Sequence, residues 1–530
     1  MKSSSYWKDR ANLRMNSYHK NSDKTIYKIN NAYDKAIEDI NKDIKKIFYK
    51  FQFDSGMSIA EAKDLLNTKI PKSELESIRS KINGIQDKNL KRYLMAQLNT
   101  KAYNSRMTRL EALKESIYIN TKRIADVEFV QSELRYIKNI NEAYYRNIYD
   151  IQKGTGIVTD FATMPVSAIE EILKNNWSGK HYSERIWSNS EVLAVKIEEV
   201  ITSGLMSGKS SKNMAVELAD LSQYGKMAAE RLIRTETTYI TNMAELESYK
   251  ELDIDRYIFV ATLDLRTSPM CREMDGKIIE VSKGIPGENL PPLHPWCRST
   301  TRAYFEGMTR KRRARDPETG ENYIIEDMDY KEWYQKCVVD RYGEQKAETF
   351  QKMIKNKASD RKQLNEFKEV LGKESPKTLK DFQDLKYNNS KEWELIKSFV
   401  IAKKRKKISD NATLCQWKNI SREANTKIVG IVTPNGIKIT ELSNHMIERF
   451  IGDGDKRIGV SVDSVRDALI SPLDIKAIKV DDLDRKSQKF IGENATVSIN
   501  PDTGNLIQTN PTSSKLAERL KRRKLDDKVK

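Results

Sequence analysis

The chain has 530 residues, with 94 lysines and arginines against 76 acidic residues, a formal net charge of +18 and an isoelectric point near 9.3. Mean hydropathy is −0.69 and 32% of residues are charged, so much of the chain is solvated surface, and its length allows three or four domains. No apolar run reaches the roughly 18–20 residues that span a bilayer, and the opening MKSSSYWKDRANLR lacks the apolar core of a signal peptide.

Residues 1–150 hold only Gly56, Gly84 and Pro71 as breakers, and Ile26, Ile29, Ala32, Tyr33, Ala36, Ile37 and Ile40 recur three and four apart. That spacing predicts long amphipathic helices. The many tyrosines here are expected to pack helix seams with their hydroxyls at the rim, rather than to stack on nucleic acid. Residues 160–250 continue helical, with Ser167 as an N-cap and Gly204 and Gly208 breaking the next helix pair. In RTET, Arg234 and Glu236 lie two apart and so point to different faces, which predicts a buried structural role rather than an acid–base pair. RYIFVATL (256–263), DGKIIEV (275–281) and RSTTRAY (298–304) read as strands of a small sheet.

From the end of the first strand into the third, residues 264–302 are unusually rich in Cys, His and Pro. Cys271, His294 and Cys297 are the usual donors of a structural zinc, and Pro291, Pro292 and Pro295 stiffen their loop. Asp264 and Asp275 are the nearest candidates for a fourth ligand. The same stretch also reads as a proline-rich loop whose cysteines are small buried hydrophobes. With Cys337 and Cys415 isolated, the four cysteines make no disulfide framework, which predicts a reducing compartment: a cytoplasm, or a particle assembled there.

MTRKRRARDPETG (308–320) reads as a charged linker, followed by short helices with aromatic anchors to about residue 400 and the basic hinge AKKRKKISD (402–410). From 427 onward the pattern changes. KIVGIVTPNGIKI alternates around Asn435-Gly436, a hairpin signal. SNHMIERFIG and SVDSVRDALISP read as helices, and DIKAIKV, SQKFIGENATVSIN and GNLIQTNPTSS as strands. The expected fold class is therefore multidomain: a mainly α N-terminal half with a small α+β module, a helical linker, and a C-terminal α+β domain of helices on an antiparallel sheet.

In that last domain His445 and Arg449 share a helix face, while Arg457, Arg485, Lys486, Ser487, Thr509, Thr512 and Ser513 lie at strand or helix ends, where a fold presents side chains to a cleft. One imidazole with arginines and hydroxyls is a constellation suited to metal-free RNA cleavage, because the 2′-OH supplies the nucleophile. By spacing alone, His445 is more simply a helix-surface or capping residue. Asp453 and Asp455 lack the further oxygens of a calcium loop.

ATLDLRTSPMCREMDG and PPLHPWCRSTT, with NNWSGKHYSERIWSN (175–189), GLMSGKSSKNMA (204–215) and RLIRTETTYITNMAELESY (231–249) upstream, closely resemble phage head morphogenesis proteins of the Mu F type, over roughly residues 130–305. Many relatives carry CxxC where this chain has Cys271-Arg-Glu-Met274, and a cysteine in place of Ser299. The resemblance implies a minor capsid protein near the portal, acting in head assembly, DNA packaging or ejection. Residues 425–515 resemble phage-borne nuclease domains of the barnase/EndoU/colicin/RelE type, which implies His445 as general acid or base and Arg449, Arg485, Ser487, Thr509, Thr512 and Ser513 around it. No cofactor is expected there.

The layout expected is helical residues 1–155, a Mu F-type module at 156–305, a linker at 306–420, a nuclease-like domain at 421–515 and a basic tail at 516–530. Implied partners are portal and capsid proteins, an RNA substrate, phage DNA and an immunity protein. The implied location is the virion head, with the host cytoplasm during assembly and after delivery. The alternative is a purely structural capsid protein with an inactive C-terminal domain.

Overall fold

A computed structural model describes residues 4–50, 60, 64, 66–104, 107–207, 209–306, 311–455 and 457–529, so Gly56, Gly208 and residues 308–310 of the expected linker lie outside the described residues. The chain divides into two compact units, Met1–Glu344 and Gln345–Lys530.

The first unit is built on helices α1 (Ser4–Lys50), α2 (Lys72–Asn83), α3 (Lys88–Asn104), α4 (Arg109–Thr155), α5 (Val166–Lys174), α6 (Tyr182–Met206) and α7 (Ser211–Glu251). The predicted α1 stripe is real: Ile26, Ile29, Tyr33, Ala36, Ile37 and Ile40 are buried against Ile117 and Ile124 of α4, Ile197 of α6 and Ile233 of α7. A second core joins Tyr18 of α1 to Tyr136 and Tyr144 of α4, Ile172 of α5, Ile186 of α6 and Tyr239 of α7. Both cores draw on helices from either side of residue 155, so the N-terminal helices and the segment after them form one body. Of the described seam tyrosines, Tyr18, Tyr33, Tyr136 and Tyr144 are buried and Tyr118 and Tyr145 half-buried, while Tyr27, Tyr93 and Tyr149 stay exposed.

Local chemistry sets the ends. Thr108 and Glu111 form a reciprocal capping box that starts α4, and Gly156, with φ +77°, ends it in the left-handed region. Ser167 is not an N-cap: α5 begins at Val166 behind Pro165, which places Ser167 inside the first turn. Gly204 does not break α6. The helix runs on to Met206, and a Cβ at Gly204 would lie 2.5 Å from Met214 Sδ, so the glycine admits α7 closely.

After α7 come β1 (Arg256–Val260), helix α8 (Pro269–Met274), β2 (Ile278–Glu280) and β3 (Thr300–Ala303), an antiparallel sheet in the order β2-β1-β3. The expected charged linker is instead a hairpin, β4 (Lys311–Arg315) and β5 (Asn322–Glu326), where alternation buries Arg312 and Ala314 and exposes Lys311, Arg313 and Arg315. Arg312 donates to both oxygens of Asp275, at 2.5 and 2.6 Å, which ties the hairpin to the turn before β2. The charge run masked a strand because its buried arginine has a buried partner.

The second unit carries α9 (Glu344–Lys355), α10 (Lys357–Leu371), α11 (Leu379–Asn388), α12 (Ser390–Lys404) and α13 (Leu414–Ile428). These are packed helices: Phe367, Phe382, Trp393, Phe399 and Trp417 form one core with Ile447. The rest is β6 (Glu441–Leu442), α14 (Asn444–Ile451), α15 (Val462–Ile470), β7 (Asp474–Ile475), β8 (Lys479–Val480), β9 (Lys486–Ile491), β10 (Ala495–Ile499), β11 (Asn505–Pro511) and α16 (Ser514–Val529). The sheet order is β6-β11-β10-β9-β7 with β8 also on β9, and the β6–β11 pair is parallel in an otherwise antiparallel sheet. The Asn435-Gly436 turn forms as predicted, with Gly436 at φ +84° and Ile439 N–H donating to Ile431 O at 2.8 Å. The expected basic tail is the helix α16. Among the described residues, no helix is long and apolar enough to cross a membrane.

Candidate functional site

In the first unit the three predicted metal donors converge. Ser268 caps α8 by accepting from Cys271 N–H at 3.3 Å, which fixes Cys271 in the first turn. The return loop closes when Cys297 N–H donates to His294 O at 3.2 Å. Cys271 Sγ then lies 3.6 Å from Cys297 Sγ and 3.3 Å from His294 Nε2, and all three donor atoms sit within 4.8 Å of one another. Zinc with bonds of about 2.3 Å to sulfur and 2.0 Å to nitrogen needs tetrahedral edges of roughly 3.8 and 3.5 Å, so the set fits that ion. His294 Nδ1 faces Pro295 O at 2.7 Å, which leaves Nε2 for the sulfurs. The hydrogen bond between the thiols pushes Cys297 well below its usual range and Cys271 above it, so the pair shares a proton around one thiolate. Hydrogen bonding to Cys297 raises His294.

Neither aspartate expected as a fourth ligand is available. Asp264 accepts from both terminal nitrogens of Arg298, at 2.6 and 2.8 Å, and Asp275 is held by Arg312 and by Ala261 N–H at 2.8 Å. The hydroxyls of Ser268 and Ser299 both hydrogen-bond with Cys271. Glu236 is buried, as predicted, against Trp177 Nε1 at 3.3 Å, and burial pushes it up to about 7. Arg234 turns the other way, to Asp23 and the carbonyl of His19.

In the second unit the predicted cluster divides. His445 sits between Glu448 and Arg449: Nδ1 faces Glu448 Oε2 at 2.8 Å, and Arg449 Nε donates to Nε2 at 3.2 Å. With Nε2 accepting, the proton belongs on Nδ1, directed at the carboxylate. Ser443 does not cap α14 through its side chain, because its hydroxyl donates to Ile507 O and pins the helix to β11. This brings Arg449 within 3.3 Å of Asn510 Oδ1. Arg449, Thr509 and Asn510 line a cavity of 250 Å³ with Lys407, Glu448 and Arg457. Burial, with Arg457 nearby, lowers the Arg449 pKa.

The other predicted residues are elsewhere or occupied. Register pairs Phe490 with Val497 and Val497 with Thr509, so Ser487 lies three residues, about 10 Å, along β9 and two strands, about 10 Å, across. Its odd offset from buried Phe490 puts it on the opposite face. Arg485 is exposed and paired with Asp481 at 2.7 Å. Thr512 Oγ1 bonds to Thr496 Oγ1 at 2.9 Å, Ser513 accepts from Leu516 N–H at 3.4 Å, and the buried Thr509 hydroxyl donates to Thr496 O at 3.2 Å. Arg457, expected at an element end facing a cleft, lines this cavity; Lys407 was not expected there and lies in the basic run read as a hinge.

Residues 195–302 match the family model for phage Mu protein F like proteins. The chain thus carries a Mu F-like domain spanning α6 and α7, the small sheet and the whole Cys/His cluster, which supports a phage head-related role and virion partners of the capsid or portal kind. The stretch 175–189 lies outside the match. Among curated proteins, the chain is similar to NAD(+)--arginine ADP-ribosyltransferase EFV of Enterococcus faecalis (strain ATCC 700802 / V583), 26% identical over 216 residues, or 37% of this chain. The match covers 43% of that relative, under half its length, so the transferase activity in the name is a property of that protein. No solved structure matches.

Proposed function

We propose that the chain is a phage minor head protein positioned near the portal, acting in head assembly or in DNA packaging or ejection, and carrying a metal-independent ribonuclease in its second unit. The Mu F-like match supports the first part. The observation that carries the second is the Glu448–His445–Arg449 hydrogen-bonded chain, whose Glu448 and Arg449 line a cavity with Arg457 and Lys407 while His445 stands behind them.

His445, oriented by Glu448, takes the 2′-OH proton through Nε2 once Arg449 turns to the scissile phosphate. The three cations share the phosphate's charge. Arg485 and Ser487 have no part in this, and Thr512 and Ser513 hold the chain end. The full-length protein is expected to cleave total RNA in EDTA, leaving cyclic or 3′-phosphate ends, and His445→Ala to slow cleavage by about 10²–10⁴-fold. Products with 5′-phosphates, a strict magnesium requirement or an unimpaired His445→Ala protein would remove the nuclease and leave the purely structural head protein.

Cys271, His294 and Cys297 would hold a zinc that staples α8 to the return loop. Metal analysis of the intact protein should give about one zinc per chain, lost in Cys297→Ser. A metal-free protein with an unchanged melt would refute the assignment.

A further inference from the structure

A cavity of 650 Å³ opens beside the Cys/His cluster, entirely within the first unit and apart from the proposed nuclease. Its walls come from α1, α7, the loop after β1, the return loop and the outer face of β4. Its size falls in the ordinary range for small-ligand sites.

The charge lining it is uneven. Arg266 and Arg298 share Asp264, and Arg234 pairs with Asp23. Arg313 and Arg315, two apart on one face of β4, line the cavity and make no ion pair among the described residues. Two guanidinium groups on one strand face, neither of them in an ion pair, can grip phosphate oxygens.

The rim carries an independent signal. Trp296 has φ +64°, a left-handed conformation strained for a bulky side chain, and the residue is 43% exposed where a Trp would ordinarily be mostly buried. Trp296 N–H donates to Thr235 Oγ1 at 3.1 Å, which holds the residue in place. On the α1 wall, His19 lines the cavity, and its buried Nδ1 has no hydrogen-bond partner.

We infer that this cavity binds a nucleotide, with the base stacked on Trp296 and the phosphates held by Arg313 and Arg315. The shared chemistry, an aromatic base bearing phosphate, occurs both in a free nucleotide and in a single strand of nucleic acid.

Calorimetric titration of the full-length chain with ATP, with pyrophosphate and with an eight-residue oligo(dT) tests this. ATP or the oligonucleotide should bind, and whichever binds more tightly identifies the source. Trp296→Asn, which tolerates the left-handed backbone, should weaken that ligand at least about ten-fold while sparing pyrophosphate. The double variant Arg313→Gln/Arg315→Gln, at exposed positions that leave the fold intact, should weaken both. Arg361→Gln, at an exposed position of the other unit outside both sites, should change neither. Absence of binding by both ATP and oligo(dT), or wild-type affinity in Trp296→Asn or in the double arginine variant, would overturn the inference.

Discussion

Among the described residues of the first unit, Arg14, Glu115, Lys122, Asp126, Glu128, Asp150, Glu236 and Glu245 are all buried within the helical layer, whereas in the second unit Asp360 is the one buried charged side chain. The cores differ accordingly. Arg14 of α1 reaches Glu245 of α7 at 3.0 Å and Asp150 of α4 at 2.5 Å, so three helices meet at one guanidinium. The second unit joins its helices through aromatic stacks, such as Phe367 on Trp393 at 5.3 Å. Buried charge contributes little net stability but penalises every misaligned packing, while apolar contact tolerates repacking. The first unit is thus specified by polar register and the second by volume.

The largest effect that would break this contrast comes from Arg14→Leu. It strands two buried carboxylates and should cost about 3–5 kcal/mol, lowering the melting transition of the first unit and leaving that of the second unmoved. Calorimetry that shows no loss would mean that the network is ornamental.

Glu128 sharpens the comparison through pH. Burial raises its carboxyl to about 8, and its Oε1 meets no hydrogen-bond partner. The folded group therefore keeps its proton in the window from about 4.5 to 8 where the unfolded group has lost it. Its contribution is fully present at acid pH and fades as pH rises through the folded pKa. Glu128→Gln should stabilise the first unit by on the order of 2–4 kcal/mol at pH 8 and flatten this part of the pH profile. An unchanged profile would show the carboxylate to be solvated. The smallest effect is expected from Arg485→Gln, which should leave RNA cleavage within about two-fold of wild type, since the exposed Asp481 pair does no work at the cavity.

The helices of α1 and the hairpin at Asn435-Gly436 were legible because periodicity and turn chemistry are local. The Cys/His convergence was legible too, since its donors are the scarce residues of the chain. The β4–β5 hairpin was not, because Arg312 becomes a core residue only through Asp275, 37 positions away. The division of the nuclease cluster was hidden for a related reason. Which strand ends coincide depends on register, and a three-residue offset carries Ser487 to the other face of the sheet. Lys407 reaches its cavity through tertiary packing alone.

The core shared by Trp393, Phe399, Trp417 and Ile447 has a consequence for how this chain can be cut and rejoined. A recombination joint at residue 405 or 420 would separate aromatic partners and expose both halves. A joint near residue 344 leaves every one of these contacts on the same side. The stretch that can be moved as one piece is therefore residue 345 onward: the helices before the sheet share its core, and a fusion that lacked them should be insoluble.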